Sequence, residues 1–385
     1  MHGITINQVT TGTRPIKSAA TAVIGLVATA TAAAGAATTA LDAAFPLNTP
    51  VLVTSIRQAI AAAGTGGTPK PVLEAIADQA SPVLVIVRVA EGVDAAATDA
   101  AVIGTVTAEG AYTGMQALLA AEAEVGVRPR IIGAPGLDTE DVTTAMAIVA
   151  RKLRGMAYAR AIGDTVAEAV LYRAGFAAKE LMLLFPDFAD APAGDAVARA
   201  LGLRARIDQE IGWHKSLSNV AIDGVPGGLT LGISFDMLGD DHAAAVLNAD
   251  EVTTMIRQNG WRFWGNRTTS DEPLFAFETS VRTGQVLQDE IAAGLAWAID
   301  KPLTPVLVKD IVETINARFR SLISQGRLIG ARAWFDPDQN PQGDLAAGKL
   351  VIDFDYTPCA PAESITLNQL ITDRYYQGFA DALVA

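Results

Sequence analysis

The 385-residue sequence has few of the side chains on which enzyme and metal chemistry most often depend. It contains one cysteine, Cys359, which excludes a disulfide framework within the chain and a cysteine-rich zinc site. Only three histidines are present, and His214 has no carboxylate or cysteine at ligand spacing. Basic residues are also scarce, 29 against 42 acidic ones, for a formal net charge of −13. Non-specific nucleic-acid binding is disfavoured because phosphates would be repelled.

Three segments resemble functional motifs, and each lacks a residue that the chemistry requires. GISFD has Asp236 where the nucleophile elbow of a serine hydrolase needs its second glycine. GTGGTPK has Pro69 in place of the glycine before the lysine of a phosphate loop. DPDQNPQGD has Pro341 where a calcium-binding loop needs glycine. The sequence therefore predicts no enzyme, no cofactor and no metal site.

What is present is ample material for a folded core. Half of the residues are apolar and 18% are charged, and the length suffices for two or more domains. Apolar runs such as SPVLVIVRVA and ELMLLFPDF read as strands covered on both faces. They alternate with helical segments, among them LDTEDVTTAMAIVARKLRGMAYARA, which we read as one long helix. This alternation predicts a parallel or mixed sheet with helices on both faces.

The stretch from Ser18 to Leu41 has no charged residue and follows two basic ones, as a signal peptide or membrane anchor would. Alanine and threonine dominate it, however, whereas membrane insertion is driven by Leu, Ile, Phe and Val. Its apolar weight is concentrated in VIGLV, the length of a buried strand. These residues favour a strand and a small-residue loop, while a signal or anchor stays open at this point.

Beyond residue 248 the pattern changes. NADEVTTMIRQNGWRFWGNRT reads as a helix followed by an aromatic turn and strand, and we assign Trp261, Phe263 and Trp264 to the core of this second unit. Two amphipathic helices follow, then two strands, the second with apolar residues alternating from Leu350 to Tyr356. The last 21 residues, ITLNQLITDRYYQGFADALVA, remain apolar after these elements end. Such a tail needs something to bury it.

Several long blocks resemble the contractile tail sheath proteins of myophages and R-type bacteriocins. They include GTRPIKSAATAVIGLVATA, FPLNTPVLVT, RIIGAPGLDT, ELMLLFPDF, LNADEVTTMIRQNGWRFWGNRTTSDEPLFAFETSVRTGQVL and GKLVIDFDYTP, in chain order. The resemblance implies an α/β outer domain with a mixed or parallel sheet, a smaller α+β inner domain facing a tube, and extended arms. The implied boundaries are 1–20 for the N-terminal arm and linker, 21–247 for the outer domain, 248–358 for the inner domain and 359–385 for the C-terminal arm.

A sheath subunit of this kind is a structural protein and not an enzyme. The resemblance implies that it polymerises with itself as stacked six-fold rings around an inner tail tube, meets baseplate and tail terminator proteins, and contracts to drive the tube through a cell envelope. No cofactor, nucleic acid or membrane insertion is implied. The subunit would be made in the host cytoplasm without a signal peptide and end in a virion tail or bacteriocin particle.

Within this family the arms reach neighbouring subunits and pair with strands of their inner domains. ITINQVT would be an exposed edge strand in a monomer, and donated to a neighbour it becomes β-augmentation. The intersubunit arm residues that we predict are Ile4, Ile6, Val9, Leu370, Ile371, Tyr375 and Phe379. TAVIGLVATA becomes the first strand of the outer domain, the rest of the Ala/Thr stretch a surface loop, and Arg14 and Lys17 part of a linker that tolerates sliding.

The helix predicted at 307–326 carries a local excess of basic residues: Lys309, Arg318, Arg320 and, just beyond it, Arg327. Either these form a solvated helix face, or they make a polar, breakable contact with an acidic tube. Two other functions stay open. An α/β enzyme would have its site at the carboxyl ends of VLVIV, RIIGAPG and ELMLLF. A sheath subunit of a non-phage injection machine would differ in context and not in physics.

Overall fold

The computed structural model describes residues 16–32, 34–376, 379 and 382. Its strands are β1 (Ile24–Thr31), β2 (Pro50–Val53), β3 (Gly66–Gly67), β4 (Leu84–Val89), β5 (Ile131–Gly133), β6 (Met156–Arg160), β7 (Leu181–Leu184), β8 (Val252–Arg257), β9 (Trp261–Trp264), β10 (Leu328–Trp334) and β11 (Asp353–Pro358). Its α-helices are α1 (Ala36–Ala44), α2 (Ile56–Ala62), α3 (Pro69–Gln79), α4 (Ala95–Ile103), α5 (Ala121–Val125), α6 (Glu140–Leu153), α7 (Val166–Arg173), α8 (Asp195–Glu210), α9 (Ala243–Ala249), α10 (Glu278–Leu295), α11 (Pro305–Ser324) and α12 (Gln342–Ala346).

A mixed sheet dominates the structure. Its strand order is β2-β4-β1-β5-β6-β7-β8-β9, with β3 paired to the end of β1. The strands from β4 to β8 in this order are parallel, while β2, β3 and β9 run antiparallel to their neighbours. β10 and β11 form a separate two-stranded antiparallel sheet. The predicted mixed sheet with helices is confirmed.

Alternate residues of the central strands enter two different cores, which is why these strands read as continuous apolar runs. Leu84 and Ile86 of β4 pack on one face, against α2, α3 and α8. Val85 and Val87 pack on the other face, against α6 and the 3₁₀ helix Gly114–Leu119. A third core lies outside the large sheet, where α10 and α11 pack against β10 and β11.

Two local predictions are wrong. One overlooked a break in the backbone at Arg154, and the other underestimated the helix propensity of alanine. The long helix predicted from LDTEDVTTAMAIVARKLRGMAYARA ends at Leu153, and β6 follows. Arg154 adopts a left-handed φ of 52°, and a Cβ on Gly155 would lie 2.7 Å from the Arg130 carbonyl oxygen. The Ala/Thr-rich segment predicted as a loop contains α1, since alanine has the highest helix propensity.

The segment that begins the predicted inner domain belongs to the large sheet. Residues 252–257 were predicted as helix but form β8, whose β-branched residues pair with β7. β9 follows on β8, and Phe263 is fully buried in the core of the large sheet. Phe263 and Trp261 therefore pack in the core of the large sheet and not in the core of a second unit, and the domain boundary at residue 248 stays a prediction.

Candidate assembly surfaces

The C-terminal segment leaves the body after β11 and exposes its apolar side chains. Residues 359–373 form neither helix nor strand, and a single 3₁₀ turn follows at Arg374–Tyr376. Leu370 and Ile371 are 85% and 90% exposed, and Tyr375 and Phe379 are also mostly exposed. Large apolar side chains so fully in water mark an interaction surface. The structure thus places all four predicted C-terminal arm residues on the outside of the subunit.

One charged contact fastens this segment to the large-sheet body. The guanidinium of Arg267 donates to both carboxylate oxygens of Glu363, at 2.9 and 2.7 Å. The same guanidinium lies over the Phe277 ring, 5.2 Å from its centroid. The Glu363 hydrogen bond raises the pKa of Arg267. A bidentate pair of this geometry fixes direction as well as distance, so it sets where the segment departs.

The two-stranded sheet presents one apolar face and one charged face. Ala331, Ala333, Phe354 and Tyr356 lie on the face that packs toward α10 and α11, and Gly284 of α10 leaves room for the Tyr356 hydroxyl. On the solvent face, Arg332 and Asp355 lie directly opposite each other, with nitrogen and oxygen 3.7 Å apart. One outer edge of this two-stranded sheet is partly occupied, because Asn316 of α11 exchanges two hydrogen bonds with the backbone of Ala333 in β10.

At the other end of the described chain, residues 16–19 are docked and not free. Ile16 is buried against Gly294 near the end of α10. The amide of Ala19 donates to Glu290 Oε1 at 3.2 Å, and Arg318 donates to the Ser18 hydroxyl at 3.0 Å. Residues 16–19 are thus anchored in this structure, and a linker that tolerates sliding stays a prediction. Ile4, Ile6 and Val9 lie outside the described residues, so their role stays a prediction.

The four predicted tube-contact residues do not share one surface. Lys309 and Arg320 are eleven positions apart on α11, about three turns, and both face solvent. Arg320 pairs there with Glu313 at 2.5 Å. Arg318 points the opposite way and forms a two-bond pair with buried Glu290, at 2.7 and 2.8 Å. Arg327 lies over the ring of Trp213, 4.7 Å from its centroid. The structure keeps Lys309 and Arg320 together and separates the other two.

Between the large sheet and α10 lies a buried charge cluster that the sequence did not reveal. Arg204 and Asp208 of α8 meet Glu278 and Arg282 of α10, and every one of these side chains is almost fully buried. Tyr158 of β6 donates its hydroxyl hydrogen to Glu278 at 2.5 Å. Burial raises the pKa of Tyr158, so it acts as a donor at any physiological pH. The cluster is neutral overall and joins α10 to the sheet.

A second ionic contact joins α10 to the sheet near the start of β5. Asp289 of α10 pairs with Arg130, and with Arg154 at 2.5 Å, and Arg128 lies 3.8 Å away. Burial and the two neighbouring guanidinium groups lower the pKa of Arg130 to about 10, against the pull of Asp289. Two charge clusters therefore hold α10 to the large sheet, and apolar contacts hold it to α11.

At the carboxyl ends of β5 and β7, two of the three strand ends where an α/β enzyme would have its site, the first carboxylates make structural contacts. Asp138, after β5, accepts from the Arg160 amide at 2.7 Å and from Arg160 Nε at 2.8 Å. Burial raises the pKa of Asp138. Asp187, after β7, accepts from three amides, those of Phe188, Gly194 and Ala196. β3 closes the end of β1. These carboxylates hold loops in place.

Other residues considered for chemistry have structural surroundings. The Ser234 hydroxyl accepts from the Ala243 amide at 2.9 Å. The pKa of His214 is lowered, first by burial and then by Arg327 and Arg204. In the described residues, no three His, Cys, Asp or Glu side chains come together as a metal site would require. No helix of this same part of the chain has the length and apolar character to cross a membrane.

Sequence models of three sheath regions match this chain. "Phage tail sheath protein central domain" matches residues 110–269 and "Phage tail sheath C-terminal domain" matches residues 270–372. "Tail sheath protein Gp18 domain III N-terminal region" matches residues 21–89. The boundary between the first two falls just after β9, where the large sheet ends.

Two relatives match over almost their whole length. The tail sheath protein of Escherichia phage P2 is 46% identical, over 97% of this chain and 96% of the relative. The major tail sheath protein of Serratia phage KSP20 is 45% identical, over 98% of this chain and 96% of the relative.

Two solved structures share the fold at low sequence identity. The helical sheath of the anti-feeding prophage in its contracted state has a TM-score of 0.70 at 17% identity, covering 96% of this chain and 98% of that chain. The sheath complex of the extracellular contractile injection system PVC, also contracted, has a TM-score of 0.67 at 16% identity, covering 97% and 98%.

Proposed function

This chain belongs to the phage tail sheath protein family and is a contractile tail sheath subunit, and from that premise we propose that it polymerises as stacked six-fold rings around an inner tube. Contraction of the polymer drives the tube through a cell envelope. The proposal extends to a baseplate partner, since one structural relative comes from the baseplate of the anti-feeding prophage, and to tube and terminator proteins. The particle is a phage tail, with a non-phage injection machine as the alternative.

The observation that carries the proposal is an apolar segment that its own subunit does not cover. Ile365, Leu367, Leu370 and Ile371 are each more than three-quarters exposed, and their chain forms no sheet or α-helix. Burying one such side chain is worth about 1.5 to 3 kcal/mol. A neighbouring subunit that covers them gains this free energy. Because the covering surface differs from the covered one, the contact is heterologous and builds a helical or ring array.

The N-terminal arm would be the second connection. Residues 1–15 precede the docked Ile16, and a chain of this length reaches at most about 50 Å when extended. That distance spans more than one small domain, so Ile4, Ile6 and Val9 can meet another subunit. Strand addition to a sheet edge there supplies main-chain hydrogen bonds, and the alternate side chains supply register.

We place the outer domain on the large sheet and the inner, tube-facing domain on α10, α11, β10 and β11. The third hydrophobic core supports this division, since α10 and α11 pack there with the two-stranded sheet. The proposed boundary lies near residue 269 instead of 248, because β8 and β9 complete the large sheet. Lys309 and Arg320 are the proposed tube contacts.

Deleting residues 1–15 is expected to abolish polymerisation and leave a folded monomer, because the three described hydrophobic cores and both described sheets are built from residues beyond position 20. Negative-stain microscopy and sedimentation of the purified protein test this, with circular dichroism as the measure of folding. A matched control replaces only Ile4, Ile6 and Val9 by serine, which keeps the arm's length. Striated tubes from the deleted chain would refute the arm assignment, and a monodisperse full-length monomer would count against the sheath function.

Reversing the charge of Lys309 and Arg320 together is expected to weaken co-sedimentation with the particle's tube protein by about tenfold or more, equivalent to about 1.4 kcal/mol. Self-polymerisation should persist, since both side chains are exposed and pair with nothing essential to the fold. Arg318→Glu is the contrasting variant. It sets a carboxylate against buried Glu290 and should lower thermal stability instead. Unchanged tube binding by the double variant would remove these residues from the contact.

A further inference from the structure

A cleft of about 450 Å³ lies between the large sheet and α10, at the amino ends of β6 and β7. Three basic side chains surround it, those of Arg151, Arg154 and Lys179, and among the described residues that line it Glu180 is the only acidic one. Arg151 Nε lies 3.4 Å from Glu180, while Arg154 pairs with Asp289. This basic cleft thus has a net positive charge in a chain whose formal net charge is −13.

Apolar side chains also line the basic cleft. They belong to Phe275, to Val281 of α10 and to Tyr356 of β11. Lys179 Nζ lies over the Phe275 ring, 3.9 Å from its centroid, so a cation borders the apolar lining directly. A cleft that combines an apolar lining with basic side chains fits an apolar group that is flanked by carboxylates.

The same chain presents such a group on the loop at residues 236–241. Leu238 is 97% exposed, and its neighbour Met237 is 52% exposed. Three exposed acidic residues flank this pair: Asp236, Asp240 and Asp241. Two adjacent large apolar side chains on an exposed loop mark a contact surface, and the carboxylates give this acidic loop the charge opposite to that of the basic cleft.

The acidic loop is held in shape by its own residues and by the start of α9. The Ser234 hydroxyl accepts from the Ala243 amide at 2.9 Å, which joins the two ends of the loop. Inside it, the Leu238 amide donates to Asp236 Oδ1 at 3.0 Å. Because these contacts order the loop before a partner binds, little conformational entropy is lost when Leu238 is covered.

The basic cleft and the acidic loop lie at opposite ends of the parallel strands. Shortly before the loop, the Thr230 amide donates to the Asp187 carbonyl, just after the carboxyl end of β7. After the loop, α9 returns the chain to the start of β8, which runs parallel to β7. The basic cleft lies at the amino end of β7. The two surfaces therefore cannot meet within one subunit, but they can meet between two copies.

We propose that the acidic loop of one copy of this chain docks in the basic cleft of a second copy, with Leu238 against the apolar lining and the flanking carboxylates beside the basic side chains. Because the two surfaces differ, the contact is heterologous, and its repetition adds subunits in one direction, as a ring or helical array requires. The inference rests on the polymerisation proposed above and adds a contact between subunit bodies that involves neither arm.

Replacing Leu238 by serine should raise the protein concentration needed for polymerisation by about tenfold or more, because its apolar burial is lost. Val93 gives the matched control, since it is 100% exposed between Glu91 and Asp94 in the loop after β4. Val93→Ser should change that concentration by less than about twofold. Sedimentation measures both variants, and thermal unfolding should be unchanged in each. Wild-type polymerisation of Leu238→Ser would show that the acidic loop does not contribute to assembly.

Paired cysteines in the full-length chain identify the contact itself. In a Cys359→Ser background, Gln288→Cys is combined in turn with Met237→Cys, Leu238→Cys or Asp240→Cys, since Gln288 lines the basic cleft and is exposed. Assembled tubes are oxidised and run on a non-reducing gel. At least one pair should give a ladder of linked subunits, because each copy donates one loop and receives another. A disulfide requires Cα atoms within about 7 Å, so the ladder reports direct contact.

Three results of this experiment would overturn the proposal. Tubes without a cross-link in any pair would leave the basic cleft to an acidic segment of another protein or to no partner. An equal ladder from Val93→Cys with Gln288→Cys would show that the acidic loop is not selected. Dimers of Leu238→Cys without Gln288→Cys would indicate contact between two loops. Tubes are present in all three cases, so the sheath function stands, whereas a wild-type chain that forms no tubes would count against that function itself.

Discussion

Replacing Asp208 by alanine is expected to lower the free energy of unfolding by about 3 to 5 kcal/mol. Asp208 accepts from Arg204 at 2.8 and 3.1 Å and also pairs with Arg282, in a cluster whose side chains are at most 3% exposed. Without it, two buried guanidinium groups share the single carboxylate of Glu278. An uncompensated buried charge costs far more than the pair itself contributes.

Urea unfolding followed by circular dichroism measures this effect, and the same helix provides a control. Arg206 of α8 pairs with Asp223, whose side chain is 59% exposed. Asp223→Ala removes the same residue type from another arginine pair, but water can solvate the arginine that is left. We expect it to cost no more than about 1 kcal/mol. Equal shifts in the two unfolding midpoints would mean that the buried cluster tolerates an unpaired arginine.

The same cluster shows why part of the fold could not be read from the sequence. GLRARIDQE has Arg204 and Asp208 four positions apart, which on a helix indicates an exposed ion pair. Both are buried because α10, about 70 residues further along the chain, packs over them. Hydrophobic pattern and propensity describe a residue's own element. They do not show which distant element covers it, so buried polar contacts between elements escape them.

Helices and strands were predicted well where the hydrophobic pattern pointed clearly to one kind of element. β4 and β7 are continuous apolar runs because both of their faces are buried, and α11 shows its amphipathic period clearly. β8 was missed because a helix ends just before it and its partner β7 lies nearly 70 residues away. Its β-branched residues Val252, Thr253, Thr254 and Ile256 favour a strand, so the predicted helix was carried too far across them.

The candidate assembly residues also fall into two groups: some could be predicted from their own stretch of sequence, and others could not. Exposure of Leu370, Ile371, Tyr375 and Phe379 follows from their own sequence, since an apolar tail without further core elements has nothing to pack on. The ion pair between Arg318 and Glu290 could not be predicted from the local sequence, because Glu290 lies on a different helix. Asn316 gave no signal at all, since an asparagine on a helix reads as solvent-facing. Its partner Ala333 is known only once α11 and β10 are placed together.

Replacing Gly294 by alanine is expected to release the N-terminal strap, residues 16–19, while leaving the body as stable as before. A Cβ at Gly294 would lie 2.5 Å from Ile16 Cγ1 and 2.8 Å from Cδ1, closer than atoms can approach. The Ile16 side chain must therefore leave its buried position against α10, and this loses about 1.5 to 3 kcal/mol of stabilisation from apolar burial. Alanine is better than glycine in a helix by up to about 1 kcal/mol, so α10 itself does not weaken.

Trypsin cleavage after Lys17 reports the release. Ile16, Ser18 and Ala19 hold the backbone around Lys17 against α10 and α11, although its side chain is exposed. Loss of the Ile16 seat should speed cleavage by about 10- to 100-fold, since 1.4 kcal/mol is a factor of ten. Ile16→Ala should do the same. The double variant should be no faster than the faster single one, because both remove one contact.

Wild-type cleavage rates in Gly294→Ala would show that Ile16 does not hold the strap. If the strap is released as expected, polymerisation should require a higher protein concentration, although residues 1–15 are untouched. A docked strap fixes the point and direction from which the arm leaves, so less conformational freedom is lost when the arm pairs with a neighbour. Releasing it restores that freedom, and the added cost falls on assembly and not on folding. This result would mean that a glycine in α10 serves the contact between subunits at a small expense in helix stability.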